Sequence, residues 1–382
     1  MSVLRPLLPG VSGRADAHDR AGTFPVDDID DLRSAGLLGL MTPTRLGGHG
    51  AGFADYVEVA MELAAANGST ALVLNMHSSV TGALASTPDE LARALGVPES
   101  YFEARDRILR AASNGAFYAV AMSERGAGSR LSAVSTTYEP LANGNGFRIT
   151  GSKSFCSGAG HADAYLVAAR NGDTISYFLV PAGDGVTVEI TWDSLGMRAT
   201  GSQDLHLDVV APADSLLGGV EGLTLLLAQV MPQWLVASYA AVYVGVAQSA
   251  VDHGVTYARA RGLDRLPSVR ARFGRAEAAV AAARLVVREA ARRVDAEPGA
   301  PDTNAWIWRA KLVAGETAME VAASVLEACG SGAMRRGNPL ERIFRDARCG
   351  SLQPATSDVC ADWLGMSALG LDPYAESEVP RW

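Results

Sequence analysis

Two segments rich in glycine and hydroxyl side chains stand out in this 382-residue sequence: residues 123–129, SERGAGS, and residues 151–158, GSKSFCSG. The first follows a predicted strand, and a loop of this composition can present backbone N–H groups to an anionic ligand. In the second, Phe155 offers an aromatic face and Ser157 a hydroxyl two residues later, which we expect on the same side of a strand. Taken alone, the first segment is more typical of a connecting turn and the second of an ordinary strand end.

Both segments lie in a part of the chain with a strand-like pattern. Short alternating runs are separated by turn sequences such as NGNG at residues 143–146 and NGD at residues 171–173. The predicted strands cover residues 147–150, 165–169, 175–180, 186–190 and 205–210. Regularly spaced short strands indicate a small all-β unit, either a sandwich or a barrel.

The chain on either side of this unit is helical in pattern. Apolar residues recur at helical spacing over residues 27–38, 54–66 and about 70–85, and again over residues 276–295, 303–329 and 358–369. We therefore expect an α+β protein of three domains. The boundaries that we predict are a helical domain at residues 1–115, a β-domain at 116–220 and a second helical domain at 221–382.

Composition makes several classes of function improbable. The 42 acidic and 33 basic residues give a net charge of −9, whereas nucleic-acid-binding proteins usually carry a basic surplus. The four cysteines form no C-x-x-C pair and the six histidines show no metal-ligand spacing. A P-loop, a G-x-S-x-G elbow and a strand-to-helix G-x-G-x-x-G are all missing from the sequence. We expect no metal, no nucleic acid and no simple NAD or ATP site.

The most apolar stretch, residues 223–251, is interrupted by Gln229, Pro232, Gln233 and Gln248. Its uninterrupted run is shorter than the ~20 residues that a membrane span needs. The N-terminus lacks a charged segment followed by a long apolar one. We therefore expect a soluble cytoplasmic protein that has no membrane partner and a buried core helix in this stretch.

Together, the two glycine-rich segments resemble the flavin-binding β-domain of acyl-CoA dehydrogenases. That family carries a T/S-E-x-x-A-G-S loop and later a G-x-K-x-[FW]-[IC]-[ST] strand, and residues 123–129 and 151–157 match these patterns. Further matches follow the family's order: GGHG at residues 47–50, LGMR at 195–198 and RIFRDA at 342–347. The resemblance covers nearly the whole chain.

The resemblance implies a helical domain, a β-barrel and a four-helix bundle, assembled as a homotetramer or homodimer with FAD shared between subunits. Ser123 would hydrogen-bond the flavin ring, and Ser129 would lie near the pyrophosphate. Phe155 would cover the isoalloxazine, and Ser157 would reach the region of flavin N5. The neighbouring Met122 and Gly128 belong to the same set of candidate cofactor-binding residues.

The resemblance also implies FAD contacts from the C-terminal domain, for which the candidates are Arg261, Glu327, Gly330, Ser331 and Thr356. Arg261 falls where the family has the arginine of R-x-x-F-G, although the F-G itself is missing. In the family's Q-x-x-G-G motif, Glu327 replaces the glutamine and Ser331 the second glycine. In the family, these two motifs contact the FAD of a neighbouring subunit.

The family's catalytic base is missing from its usual places. Dehydrogenation needs a carboxylate within hydrogen-bond reach of the substrate α-proton. The usual position after R-D-A is Pro354 here, the alternative position is Leu235, and the neighbouring CoA-contact arginine is Val236. The candidate substitutes are Asp358, one helical turn after Pro354, and Glu327. A helix cap and a flavin-loop contact explain these two acids at least as well.

Three functions remain open. The favoured one, because the resemblance is to dehydrogenases, is α,β-dehydrogenation of an acyl thioester of CoA or a carrier protein. In that reaction hydride passes to flavin N5, and the reduced flavin then gives its two electrons to an acceptor that the sequence does not identify. The second is a flavin-dependent monooxygenase (hydroxylase) on the same fold, which needs no α-proton base. The third is a non-catalytic relative of the family.

Overall fold

The computed structural model describes residues 2–127 and 130–373. The helices before the strands are α1 Leu8–Ala21, α2 Val26–Ser34, α3 Phe53–Ala66, α4 Gly68–Ser86, α5 Asp89–Ala94 and α6 Glu99–Ser113. The strands are β1 Tyr118–Ala121, β2 Thr137–Pro140, β3 Gly146–Cys156, β4 Ala164–Asn171, β5 Thr174–Pro181, β6 Val186–Glu189 and β7 Gln203–Pro212. The later helices are α7 Leu223–Val230, α8 Ala237–Ala260, α9 Pro267–Ala296, α10 Pro301–Cys329, α11 Pro339–Arg348 and α12 Ser357–Ala368.

Helix α4 is the buried centre of the N-terminal domain, and nearly all its residues are shielded from solvent. The Asn67 side chain caps its first turn by accepting a hydrogen bond from Ser69 N at 3.1 Å. Helix α2 ends at Ser34, before the predicted Leu38. The reason is Gly36, whose φ of 74° breaks the helix and starts a short 3-10 turn.

The strands form one mixed sheet in the order β1-β4-β2-β3-β7-β6, with β5 paired to β4. Strands β1 and β2 run parallel to β4, whereas β3, β7 and β6 are antiparallel neighbours. The sequence analysis predicted a strand before residue 123 without giving its bounds, which corresponds to β1, and it did not predict β2. Each has four residues, which is too short a run for alternation to be distinctive.

The end of β3 departs from regular strand geometry. Its register with β7 shifts between Lys153 and Cys156, as in a β-bulge. Phe155 has a φ of 56°, a left-handed conformation that is uncommon for a residue other than glycine. Ser157 lies in the turn after the strand. The prediction that Phe155 and Ser157 share one face of a strand is therefore wrong, because alternation holds only along a regular strand.

The C-terminal domain is a helical bundle in which α8, α9 and α10 pack against one another, and α3 of the N-terminal domain packs on α8. A methyl group on Gly245 would lie 2.4 Å from Met61 O, so glycine permits this close approach of α8 to α3. The stretch Pro232–Ala260 is long and apolar enough to cross a membrane by length and composition. However, 83% of its most apolar window is buried inside the protein, as is typical of a core helix.

Candidate active site

Glu124 organises the first glycine-rich segment through a buried carboxylate. The carboxylate accepts hydrogen bonds from Ser135 N and Oγ at 2.7 and 2.5 Å and from Thr136 N and Oγ1 at 3.0 and 2.7 Å. Lys153 Nζ, also buried, lies 2.7 Å from Glu124 Oε1. Burial alone would raise the pKa of Glu124, but the bonds from Lys153, Ser135 and Thr136 lower it to about 2. The ion pair joins the first segment to the second.

The backbone also brings the two segments side by side. Ser154 N donates to Ser123 O at 2.8 Å, so Ser123 lies next to the residue that precedes Phe155. The side chains of Met122 and Ser123 are half-buried. Gly128 and Ser129, which the sequence also predicts as flavin contacts, lie outside the described residues.

Phe155 presents its ring to solvent, with 63% of the residue exposed. The ring meets Trp192 edge-on, with ring centroids 5.8 Å apart and an interplanar angle of 84°. Trp192 is fixed in turn by a hydrogen bond of 3.1 Å from its Nε1 to Arg198 O. An exposed aromatic ring held in a strained backbone conformation is suited to covering a flat ligand.

Ser157 belongs to a short chain of hydroxyl groups. Its Oγ lies 2.9 Å from Ser202 Oγ, which lies 2.6 Å from Thr200 Oγ1. Gly158 N donates to Thr200 O at 2.9 Å and ties the turn after β3 to the turn before β7. The sequence analysis missed both Ser202 and Trp192. An isolated serine and tryptophan in a loop carry no periodic signal, and only the sheet places them beside β3.

Of the C-terminal candidates, Arg261 lies beside the turn that contains Gly330 and Ser331. Arg261, at the end of α8, is exposed and lies with its guanidinium 5.0 Å from the centroid of the Tyr257 ring. A methyl group on Gly332, in the turn that contains Gly330 and Ser331, would lie 2.6 Å from Tyr257 Oη. The turn is therefore next to Arg261. Among described residues, no hydrogen bond connects this group to Phe155 or Ser157 in the same chain.

The two acids proposed as substitute bases occupy exposed positions. Glu327 forms an ion pair with Arg272 at 2.7 Å, and its side chain is 63% exposed. Asp358 lies in the exposed first turn of α12, where a negative charge is favourable at a helix N-terminus. Thr356 caps the same helix by accepting a bond from Val359 N at 3.3 Å. These contacts favour a structural role for Asp358 and Thr356 at the start of α12.

Hydrogen bonds from α8 and α10 of the helical bundle fix the loop that contains Pro354. Buried Lys311 on α10 donates to Gly350 O at 2.7 Å and to Gln353 O at 3.2 Å. Tyr243 on α8 donates to Gln353 Oε1 at 2.6 Å. Burial lowers the pKa of Lys311 to about 8. The loop is therefore fixed by two backbone carbonyls and the Gln353 side chain, and it carries Pro354, which the sequence analysis counts as the position of the family's usual base.

A cavity of about 130 Å³ lies where α4, α7 and the start of α8 meet the sheet. Its lining is mainly apolar and includes Met76, Val120, Leu166, Leu223 and Leu227. Met122 belongs to the lining, so the cavity adjoins the loop that carries Ser123. Leu235, at the alternative position of the base, also lines it. Every described residue in the lining is neutral, and the titratable ones are tyrosines.

The order of helices, sheet and helices, with an exposed aromatic ring and hydroxyl groups on two adjoining glycine-rich segments, is that of a flavoprotein oxidoreductase. Three family models match the chain: Acyl-CoA dehydrogenase, N-terminal domain, over residues 10–94, the middle domain over 119–210 and the C-terminal domain over 234–368. The chain belongs to the acyl-CoA dehydrogenase family. The predicted family and fold are thereby confirmed.

Relatives with different activities match over almost the whole chain. A putative acyl-CoA dehydrogenase, YdbM of Bacillus subtilis, is 29% identical over 93% of this chain and 92% of its own length. L-evernosamine nitrososynthase of a Micromonospora species is 31% identical over 97% of this chain and 90% of its own. The structure of FMN-bound TdsC from Paenibacillus sp. A11-2 superimposes with a TM-score of 0.84, is 28% identical and covers 97% of this chain and 96% of that chain.

Proposed function

We propose that this protein is a flavin-dependent monooxygenase that oxygenates a small neutral molecule held in the cavity beside Met122. The main observation behind this proposal is that the described residues of the cavity lining are all neutral. Dehydrogenation of an acyl thioester requires a carboxylate at the substrate α-carbon, and the described residues of the lining supply none. Oxygenation by reduced flavin has no such requirement.

Similarity to other proteins supports the proposal. TdsC of Paenibacillus is named as a dibenzothiophene monooxygenase, and the Micromonospora relative is a nitrososynthase. Both match nearly the full length of this chain at 28 and 31% identity. The monooxygenase, which the sequence analysis placed second, therefore becomes the favoured function. The dehydrogenation that it placed first is unconfirmed.

The residues around Phe155 fit a flavin ring in size and chemistry. When flavin is bound, the exposed Phe155 ring would cover the apolar face of its ring system, and the hydroxyls of Ser123 and Ser157 would be the groups available to hydrogen-bond its polar edge. When bound, reduced flavin supplies two electrons to dioxygen, so that one oxygen atom enters the substrate and the other leaves as water. The mainly apolar lining of the cavity would contact the substrate in place of water, which favours a neutral substrate.

For the cofactor we favour FMN over the FAD expected from the sequence, because the TdsC structure contains FMN. In addition, Glu327, which replaces the glutamine of the family's Q-x-x-G-G motif, forms an ion pair with Arg272. Arg261, Gly330 and Ser331 would contact the flavin of a neighbouring subunit, which requires a homodimer or homotetramer. Chromatography of heat-released flavin identifies the cofactor, and light scattering gives the number of subunits.

Acyl-thioester dehydrogenation is the second candidate, favoured by the 29% identity to YdbM over 93% of this chain. It would require Asp358 to reach the substrate from the first turn of α12. The substrate would be a thioester of CoA or of a carrier protein.

One pair of assays separates the two functions. The first mixes purified holoprotein with a panel of acyl-CoAs without oxygen and follows the flavin absorbance. The second supplies reduced FMN, isotopically labelled dioxygen and small neutral aromatic compounds, and measures the oxygen in the products by mass spectrometry. We expect no bleaching in the first and one labelled oxygen atom per product in the second. Bleaching by an acyl-CoA, with no labelled product, would overturn the proposal in favour of dehydrogenation.

A further inference from the structure

Three residues of the cavity lining have a buried side-chain polar atom without a hydrogen-bond partner among the described residues. Tyr177 on β5 and Gln233 in the turn after α7 both line the cavity and are more than nine-tenths buried. The unpartnered atoms are the Tyr177 hydroxyl and Gln233 Oε1. The indole Nε1 of Trp234, which lines the cavity beside Gln233, is a third.

Neighbouring groups of similar chemistry are satisfied by the protein. Ser79 Oγ donates to Asn75 O at 2.8 Å, and Thr224 Oγ1 accepts from Tyr177 N at 3.1 Å. The backbone of Tyr177 is thus fixed by α7, whereas its hydroxyl is left free. A buried polar group without a partner destabilises the folded protein, so the Tyr177 hydroxyl and Gln233 Oε1 in the lining of one small cavity indicate a ligand that bonds to both.

We propose that the cavity selects an uncharged molecule, about one aromatic ring in size, that carries a hydroxyl or N–H group. Its donor pairs with Gln233 Oε1, and its polar edge exchanges a hydrogen bond with the Tyr177 hydroxyl. The size follows from the volume of about 130 Å³, since a dry engineered cavity of about 150 Å³ holds benzene. Neutrality follows from the lining, because a charge buried without a partner would be strongly destabilised.

This inference rests on the proposed function in taking the cavity as the substrate site, and it also defines the class of substrate. Such a cavity would discriminate among ligands differently from a pocket that has only apolar side chains. A pocket without polar atoms binds hydroxylated and methylated rings about equally, whereas a site built to hydrogen-bond a hydroxyl rejects the analogue that lacks it. Discrimination among similar rings therefore tests the role of Tyr177 and Gln233 directly.

The experiment measures binding to the purified protein by calorimetry without reductant, so that no turnover is required. The probes are phenol, anisole, toluene and benzoate. We expect phenol to bind about tenfold more tightly than toluene, anisole to bind between the two, and benzoate to bind more weakly than toluene. Tyr177→Phe and Gln233→Met should each reduce phenol affinity severalfold and leave toluene affinity unchanged.

Tyr118→Phe is the matched control, since it removes a hydroxyl that donates to Ile108 O outside the cavity lining. It should leave the preference for phenol intact, and circular dichroism of each variant verifies its fold. Toluene binding as tightly as phenol, benzoate binding most tightly, or no binding of any probe would each overturn the inference. A phenol preference that survives both substitutions would also overturn it. If phenol binds as expected but no oxygenated product forms in the assays above, the proposed function fails while the selectivity of the cavity stands.

Discussion

Glu124 and Lys153 form a buried ion pair, and breaking this pair should destabilise the protein. Glu124→Gln leaves the Lys153 ammonium buried without a counter-charge. We expect the free energy of unfolding to fall by roughly 3–5 kcal/mol, because breaking one side of a buried pair exposes the full desolvation cost of the other. Urea denaturation measures the change. The double variant Glu124→Gln/Lys153→Met should recover much of the loss, and a double variant less stable than Glu124→Gln would contradict this account.

The same ion pair predicts the direction of an acid effect. The pKa of Glu124 in the folded protein is about 2, below its ordinary value. Its contribution to stability is therefore complete above the ordinary range for glutamate and is lost as the pH falls toward 2. Phe155 and Ser123 are carried by the segments that this pair joins, so weaker flavin binding should accompany acid destabilisation.

Phe155 offers a direct test of the flavin site. Phe155→Ala removes an exposed ring that makes little packing contact with the core, so the stability of the protein should change little. We expect flavin affinity to fall about tenfold through loss of the stacking surface. Titration of the apoprotein with FMN, followed by flavin fluorescence, measures this change. Leu285→Ala, an equally exposed apolar truncation on α9, is the control, and equal losses in the two variants would argue against a role for Phe155.

Helix α4 and the turn after α7 meet at a contact that only glycine permits. A methyl group on Gly82 would lie 2.0 Å from Cζ2 of Trp234, which lines the cavity. Gly82→Ala should therefore displace Trp234, destabilise the protein by roughly 1–3 kcal/mol and weaken binding of phenol. Thermal denaturation and the same calorimetric titration measure the two effects.

Gly274→Ala on α9 is the matched control for Gly82→Ala. A methyl group on Gly274 would meet nothing within 4 Å, so Gly274→Ala should stabilise the protein by about 0.5–1 kcal/mol through helix propensity alone. Opposite signs at the two glycines are the expected result. If both substitutions stabilise the protein, the contact between Gly82 and Trp234 does not constrain the cavity.

The three parts of the molecule meet at α11. Arg345 donates to Asp19 on α1 at 2.5 and 3.0 Å and to Leu195 O, next to the sheet, at 2.8 Å. The next residue, Asp346, accepts a bond from Met197 N at 2.6 Å. The R-D-A motif thus connects the N-terminal helices, the β-unit and the bundle, which gives it a structural role in every state of the protein.

Burial raises the pKa of Asp346 to about 6, against the opposing effects of Arg342 and the bond from Met197 N. The folded state therefore binds more protons than the unfolded state between the ordinary pKa of aspartate and 6, and the free energy of unfolding falls as the pH rises through that window. Asp346→Asn should remove this decline and gain up to about 3 kcal/mol over the wild type by neutral pH. Chemical denaturation across pH 4 to 7 tests this. Asp173→Asn, in the exposed turn after β4, should leave the pH dependence unchanged, and parallel curves for Asp346→Asn and wild type would refute the assignment.

Much of the architecture could be predicted from local pattern. The periodicity of α3, α9 and α10 and the alternation in β6 and β7 report which face of each element is buried, and burial is what drives their packing. The two glycine-rich segments identified the family because their residue types occur at fixed spacing along the chain. Weakly patterned features, such as β2, the bounds of β1 and the end of α2, could not be placed in this way.

The active-site geometry depends on contacts between residues far apart in the sequence. Trp192 reaches Phe155 and Ser202 reaches Ser157 only because β3 pairs with β7 and the flanking turns pack together. Tyr177 and Gln233 converge on one cavity because α7 packs on β5. Sequence periodicity records whether a side chain is buried, since that depends on its own element. Whether a buried polar atom finds a partner depends on the elements that pack against it, and only the tertiary structure decides this.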